Sequence, residues 1–137
     1  MNDPKLLRWF LWLVCLHSVA VGLALIALPS SWLGWFGFTP DPYRFFTTQG
    51  GVFHLVMAIA YAMAARDPLG HDGLMNLIIA AKTIAFIFLS AFFLFFERIS
   101  VIALSGMADG VMALVLMWLV MKVTPDVADD DQEESPA

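Results

Sequence analysis

Four long apolar segments, separated by short polar ones, make up most of the chain. Each contains about twenty residues or more, and a helix of about 20 apolar residues is long enough to cross the hydrocarbon of a bilayer. The pattern therefore predicts an all-α fold, an antiparallel bundle of four transmembrane helices that forms one domain over residues 1–125. The predicted spans are residues 6–28, 45–65, 74–96 and 101–122.

The loop after the first segment is rich in aromatic residues. Pro29 ends the segment, and Ser30 or Ser31 is placed to cap one or two helical turns. Such a loop is typical of a segment that lies at the lipid headgroups. A lid or entrance for a lipophilic molecule is the alternative interpretation. The aromatic residues are Trp32, Trp35, Phe36, Phe38 and Tyr43.

Composition places the chain outside the soluble classes. Hydrophobic residues make up 61% of it and charged residues 14%, whereas soluble domains contain about 25% charged residues. The net charge of −5 comes mainly from residues 126–137, which we expect to form a disordered acidic tail. No basic patch of the kind that binds nucleic acid is present. The expected partners are the lipid bilayer and either a second copy of the chain or a membrane-complex subunit.

Basic residues at the segment ends predict the orientation. Four flank the side that would hold both termini and two flank the other side, so the positive-inside rule favours an inner (plasma) membrane protein with cytoplasmic termini. These residues are Lys5, Arg8, Arg66 and Lys122 against Arg44 and Arg98.

Each apolar segment carries one ionisable side chain near its middle. Such groups are costly in hydrocarbon, by about 2.5–3.5 kcal/mol for a charge on insertion scales, and they usually pair with one another. Because Lys82 and Asp109 lie on consecutive spans, they form the natural pair, either directly or through water or a histidine. The predicted polar cluster comprises His17, His54, Lys82, Asp109, Tyr61 and Gln49, with Thr83 and Ser105 as further candidates.

Three interpretations of this cluster remain open. In the first, Lys82 and Asp109 neutralise each other and fix helix register. In the second, the cluster is a polar cavity for a lipophilic ligand or a proton-transfer site, with His54 or His17 as acid and base. In the third, His17 and His54 are axial ligands of a haem. A quinone or a haem is thus a candidate cofactor, whereas no metal-ion motif occurs and no catalytic residue can be assigned.

Small residues indicate where helices approach closely. Gly106 and Gly110 form a Gly-x-x-x-Gly sequence beside Asp109. The second span, the most polar of the four, has a stripe of small and polar side chains that predicts an interior position. That stripe is Gly51, His54, Ala58, Tyr61, Ala62 and Ala65.

The layout resembles the small four-helix bacterial membrane proteins of the DoxX-like and BphX-like groups. The features that carry the resemblance are Leu16-His17-Ser18 with Gly22 and Pro29, then Gly50-Gly51-Val52-Phe53, Lys82 and Asp109. It covers about residues 6–121, but not the Trp-rich loop or the acidic tail. Some DoxX-like members are subunits of quinone-linked oxidoreductases, and BphX-like members accompany aromatic-degradation enzymes.

The pattern and the resemblance together predict a small integral membrane protein with a buried His/Lys/Asp cluster. It would bind a hydrophobic small molecule or act as an accessory membrane subunit. The alternative is a membrane enzyme, either an isomerase or a quinone-linked oxidoreductase subunit.

Overall fold

The computed structural model describes residues 4–38 and 43–124. In this part of the chain there are four long helices and one short helix, and no strand, so the predicted all-α four-helix class is confirmed. The long helices contain 22–24 residues and are long and apolar enough to cross a membrane. They begin and end within two residues of the predicted spans. The predicted acidic tail, residues 126–137, lies outside the described residues. The helices are α1 (Lys5–Ala27), α2 (Ser30–Leu33), α3 (Phe45–Arg66), α4 (Asp72–Phe95) and α5 (Ser100–Val123).

The long helices associate as two closely packed pairs. α1 packs most extensively against α3, and α4 against α5, while smaller contacts join α1 to α5 and α3 to α4. In the first pair, Sγ of Cys15 donates a hydrogen bond to the carbonyl oxygen of Ala58, and Gly22 lies against Gly51. Residue numbers rise along α1 as they fall along α3, which is the order of an antiparallel pair. The antiparallel arrangement of the whole bundle stays a prediction.

Glycines bring the backbones of both pairs close together. A Cβ atom added to Gly51 would lie 2.7 Å from the carbonyl oxygen of Gly22. In the second pair, Gly106 and Gly110 face α4, and a Cβ atom on Gly110 would lie 2.8 Å from Cδ2 of Phe86. The predicted role of the Gly-x-x-x-Gly sequence in close helix approach is confirmed.

The helices differ in how much of their surface they bury. α5 buries the largest share of its residues and α4 the smallest. α5 packs mainly on α4 and less on α1, and α3 packs mainly on α1 and less on α4. α5 is therefore the most buried of the four long helices, and the more polar α3 is the second most buried. The buried part of the α3 stripe is Gly51, Ala58, Tyr61 and Ala65.

The aromatic loop forms α2 and then a 3-10 turn, Gly34–Phe36. The rings of Trp32 and Trp35 stack with their centroids 5.3 Å apart, and both side chains are exposed. Pro29 occupies the N-cap position and makes no side-chain capping bond. The predicted helical turns are present, but the cap residue is Pro29 and not Ser30 or Ser31.

Arg44, the residue before α3, makes hydrogen bonds to the carboxyl end of α1. Its Nη2 donates to the carbonyl oxygens of Ile26 (2.9 Å) and Leu28 (2.8 Å). The last carbonyl groups of a helix have no partner within the helix, and a cation is favourable there. Arg44 therefore stabilises the carboxyl end of α1 and holds the start of α3 beside it.

Replacing Arg44 by methionine is expected to destabilise the folded protein by about 1–2 kcal/mol, because the terminal carbonyl groups lose a partly buried cationic donor. Amide hydrogen exchange should accelerate in the last turn of α1. Arg98→Met is the matched control, since Arg98 is exposed in the turn between α4 and α5, and it should change neither quantity. Equal effects of the two substitutions would contradict the capping role of Arg44.

Candidate functional site

A buried ion pair lies near the middle of α4 and α5. Nζ of Lys82 donates a hydrogen bond to Oδ1 of Asp109 at 2.5 Å, and the two residues are only 3% and 7% exposed. The sequence left open whether Lys82 and Asp109 pair directly or through water or a histidine. The structure has the direct contact. Buried charges in an apolar environment are stable only when they are paired and hydrogen-bonded.

The ion pair opens onto a cavity of about 370 Å³, which we call the ion-pair cavity. Its polar lining comes from Lys82 and Asp109 and from two side chains of α3, His54 and Tyr61. Nζ of Lys82 also lies 5.5 Å from the centroid of the Tyr61 ring, within the range of a cation–π interaction. The rest of the lining is apolar: Leu25, Gly50, Phe53, Met57, Ala81 and Ala85.

Ser18 of α1 holds His54 in place. Its hydroxyl donates to the carbonyl oxygen of His54 at 3.0 Å and lies 3.2 Å from Nδ1 of the same residue. Since the single hydroxyl hydrogen is used on the carbonyl, Nδ1–H is the donor to Oγ in the neutral ring, and Nε2 is then the acceptor nitrogen. The sequence prediction missed Ser18 as a site residue. The available signal was a serine directly after His17 in an apolar segment.

Two residues of the predicted cluster do not line the ion-pair cavity, although one of them, His17, is within electrostatic range of Lys82 and Asp109. Gln49 is exposed because it precedes His54 by five positions, about 140° around the helix. His17 lines a separate groove between α1 and α5. The further candidates, Thr83 and Ser105, are both exposed and do not line the cavity either. The hydroxyl of Thr83 donates to the carbonyl oxygen of Ile79 in its own helix.

The histidines do not fit the third interpretation, in which they are axial ligands of a haem. A haem held by two axial imidazoles needs both rings to face one shared space. His17 and His54 line different spaces, and Nδ1 of His54 is occupied by Ser18. Among the described residues, no group of three or more His, Cys, Asp or Glu side chains is placed to hold a metal ion.

The ion-pair cavity offers hydrogen-bond donors to a carbonyl oxygen, the group that a quinone carries. The bond to Asp109 uses one of the three N–H donors of Lys82, and Tyr61 adds a hydroxyl donor. These groups provide hydrogen bonds for a carbonyl oxygen at one end of a largely apolar space. The arrangement is that of small-molecule sites, in which a few placed polar groups orient a ligand held by apolar contacts.

Comparisons of the chain with protein-family models, with curated proteins and with solved structures found no match. The interpretation of the site therefore depends on its own geometry, which is that of a buried Lys–Asp pair at the polar end of an apolar cavity in a four-helix bundle.

Proposed function

We propose that this chain is a small integral membrane protein that binds a hydrophobic molecule carrying an oxygen acceptor in the ion-pair cavity. The observation that carries the proposal is the opening of the buried Lys82–Asp109 pair onto a cavity that is otherwise largely apolar. A pair that served only to fix helix register would need no adjoining space. A cavity with donors at one end provides both apolar contact and orientation for a ligand.

The chemistry of the lining supports a neutral ring or chain with a carbonyl oxygen. Phe53 and Met57 supply polarizable apolar surface, and Lys82 with Tyr61 supplies donors. A charged ligand is disfavoured, since Asp109 already neutralises Lys82 and an added charge would remain unpaired in hydrocarbon. Quinones belong to the class of neutral molecules that this lining favours.

We propose the inner (plasma) membrane as the location, with both termini in the cytoplasm. The support is the excess of basic residues at that side of the four spans. A second copy of the chain or a subunit of a membrane complex is the proposed protein partner, since all four helices expose large apolar side chains.

Relationship to the DoxX-like and BphX-like groups is also a proposal. The residues that carry the resemblance include Lys82 and Asp109, which are in contact, and Ser18, which is bonded to His54. Gly22 and Gly51, two more of them, lie at the close approach of α1 and α3. The resemblance therefore involves residues that pack or pair in this chain.

Filling the ion-pair cavity should weaken binding. Ala81 lines the cavity, whereas the neighbouring Ala80 is exposed on the bundle surface and lines none of the cavities described for this chain. We expect Ala81→Phe to weaken binding of a decyl-substituted 1,4-benzoquinone by about tenfold or more, a loss of about 1.4 kcal/mol, while Ala80→Phe binds it like the unmodified protein. Native mass spectrometry of protein released from lipid nanodiscs measures the bound fraction.

Two outcomes would contradict the proposal. Equal binding by the Ala81→Phe and Ala80→Phe proteins would place the ligand outside the cavity. A folded, unmodified protein that retains neither the added quinone nor any lipophilic molecule from the cell would leave Lys82 and Asp109 with the structural role alone.

A further inference from the structure

A second apolar space, the α1–α5 groove, lies on another side of the bundle. Its volume is about 630 Å³, and it is lined by α1 and α5. Every lining side chain but one is apolar, and the exception is His17. Representative lining residues are Leu13, Leu16, Ala20, Leu104, Met107 and Val111.

His17 differs from His54 in its hydrogen bonding. His54 contacts the hydroxyl of Ser18, whereas no described residue makes a hydrogen bond to the imidazole of His17. The ring of His17 is half-buried at the side of the groove. Lys82 and Asp109 act on this imidazole electrostatically but make no hydrogen bond to it. A polar group without a hydrogen-bond partner in hydrocarbon is costly, so the expected partner comes from outside the chain.

The depth of His17 limits the nature of that partner. It lies 12 residues after Lys5 and 10 before Ala27, which is about 18 Å and 15 Å along the helix. Phospholipid headgroups lie at the two ends of such a helix, and hydrocarbon surrounds its middle. The partner must therefore bring a hydrogen-bonding atom deep into hydrocarbon, which excludes charged lipids on energetic grounds.

We propose that the α1–α5 groove binds a neutral apolar molecule whose carbonyl or hydroxyl oxygen hydrogen-bonds to His17. The apolar body lies along the groove, and the oxygen meets the imidazole halfway along α1. This site is separate from the ion-pair cavity, whose lining does not include His17. The two proposals are therefore tested by substitutions of different lining residues.

A photoreactive ligand pair tests the hydrogen bond. The full chain in nanodiscs is labelled with 4-decylphenol carrying a diazirine in its alkyl chain, and with the same molecule lacking the hydroxyl. Peptide mass spectrometry locates the cross-links. We expect labels from the phenol on α1 and α5 at the groove, and about two- to tenfold weaker labelling with the hydroxyl-free probe, the range that one net hydrogen bond supplies.

Variants at the groove complete the test. His17→Leu should reduce phenol labelling to the level of the hydroxyl-free probe, and His17→Gln, which keeps a donor and an acceptor, should restore part of it. Ala20→Phe should block labelling because Ala20 lines the groove. Ala27→Phe is the matched control, since Ala27 is exposed seven positions later on the same side of α1, and it should have no effect. Ala81→Phe should also leave labelling unchanged.

Three results would overturn this inference. Equal labelling by the two probes would show that the oxygen makes no contribution. Labels spread evenly over the exposed side chains of all four helices would show that the groove is not a site. A dimer seen by native mass spectrometry without any probe, and lost in the Ala20→Phe protein, would show that a second copy occupies the groove.

Discussion

Replacing Asp109 by leucine is expected to destabilise the folded protein by about 3–5 kcal/mol, because the change leaves the buried ammonium of Lys82 without its partner. The remaining interaction with the Tyr61 ring, 5.5 Å away, is too weak to compensate. Lys82→Met should cost a similar amount, since it leaves the carboxylate unpaired. Equilibrium unfolding in mixed detergent micelles measures these changes.

The double variant Lys82→Met/Asp109→Leu should be much more stable than either single variant. With both charges removed, the two helices are joined by apolar side chains of similar size, and such replacements of buried ion pairs are often neutral or stabilising. Ser105→Ala is the control, because Ser105 is exposed on α5 and its loss should change stability by less than about 0.5 kcal/mol. Additive losses in the double variant would show that Lys82 and Asp109 do not depend on each other.

The same double variant separates packing from ligand binding. If the pair also orients a ligand, the stable double variant should lose the quinone that the unmodified protein retains, since the cavity keeps its apolar lining but loses its ammonium donor. Retention of the quinone by the double variant would assign Lys82 and Asp109 to helix packing only.

Span positions and the depth of polar groups were readable from the sequence. Hydropathy marks the residues that enter hydrocarbon, and each helical residue adds about 1.5 Å of depth. Counting along the spans predicts that Lys82 and Asp109 lie in one band near the middle of consecutive spans. The Gly-x-x-x-Gly sequence likewise predicts a close helix approach, and in the structure Gly110 faces Phe86 of α4.

The sequence does not predict how each helix is rotated about its own axis, and therefore which of its faces is buried. In water, an apolar stripe shows which face is buried, but in lipid the outward face is as apolar as the inward one. Leu16 and Leu23 are exposed although they resemble core residues. For this reason the sequence placed His17 and Gln49 in the cluster, whereas α1 directs His17 to another groove and α3 leaves Gln49 exposed.

The sequence also does not predict the contacts between a loop and a helix end. The bonds from Arg44 to the carbonyl groups of Ile26 and Leu28 span 18 and 16 residues, and no local pattern encodes them. A basic residue beside a membrane span is expected for topology alone. The sequence therefore does not show that Arg44 also caps the carboxyl end of α1, and the contacts in the structure do.

The adjacent glycines of α3 are expected to respond oppositely to the same substitution. Gly51→Ala should destabilise the protein by about 1–3 kcal/mol, the usual cost of overpacking, because the new Cβ would lie 2.7 Å from the carbonyl oxygen of Gly22 and 2.7 Å from Cγ1 of Ile26. One of these atoms belongs to the backbone, so α1 and α3 must move apart. Unfolding in mixed micelles again measures the change.

Gly50→Ala is the matched control, since a Cβ atom there would meet only Cδ1 of Leu25 at 3.9 Å. That distance is an ordinary van der Waals contact, and alanine favours the helix over glycine by up to about 1 kcal/mol. Gly50→Ala should therefore be neutral or stabilising. Equal destabilisation by the two substitutions would mean that α3 requires flexibility at this turn, whereas loss confined to Gly51 identifies backbone contact with α1 as the reason for glycine.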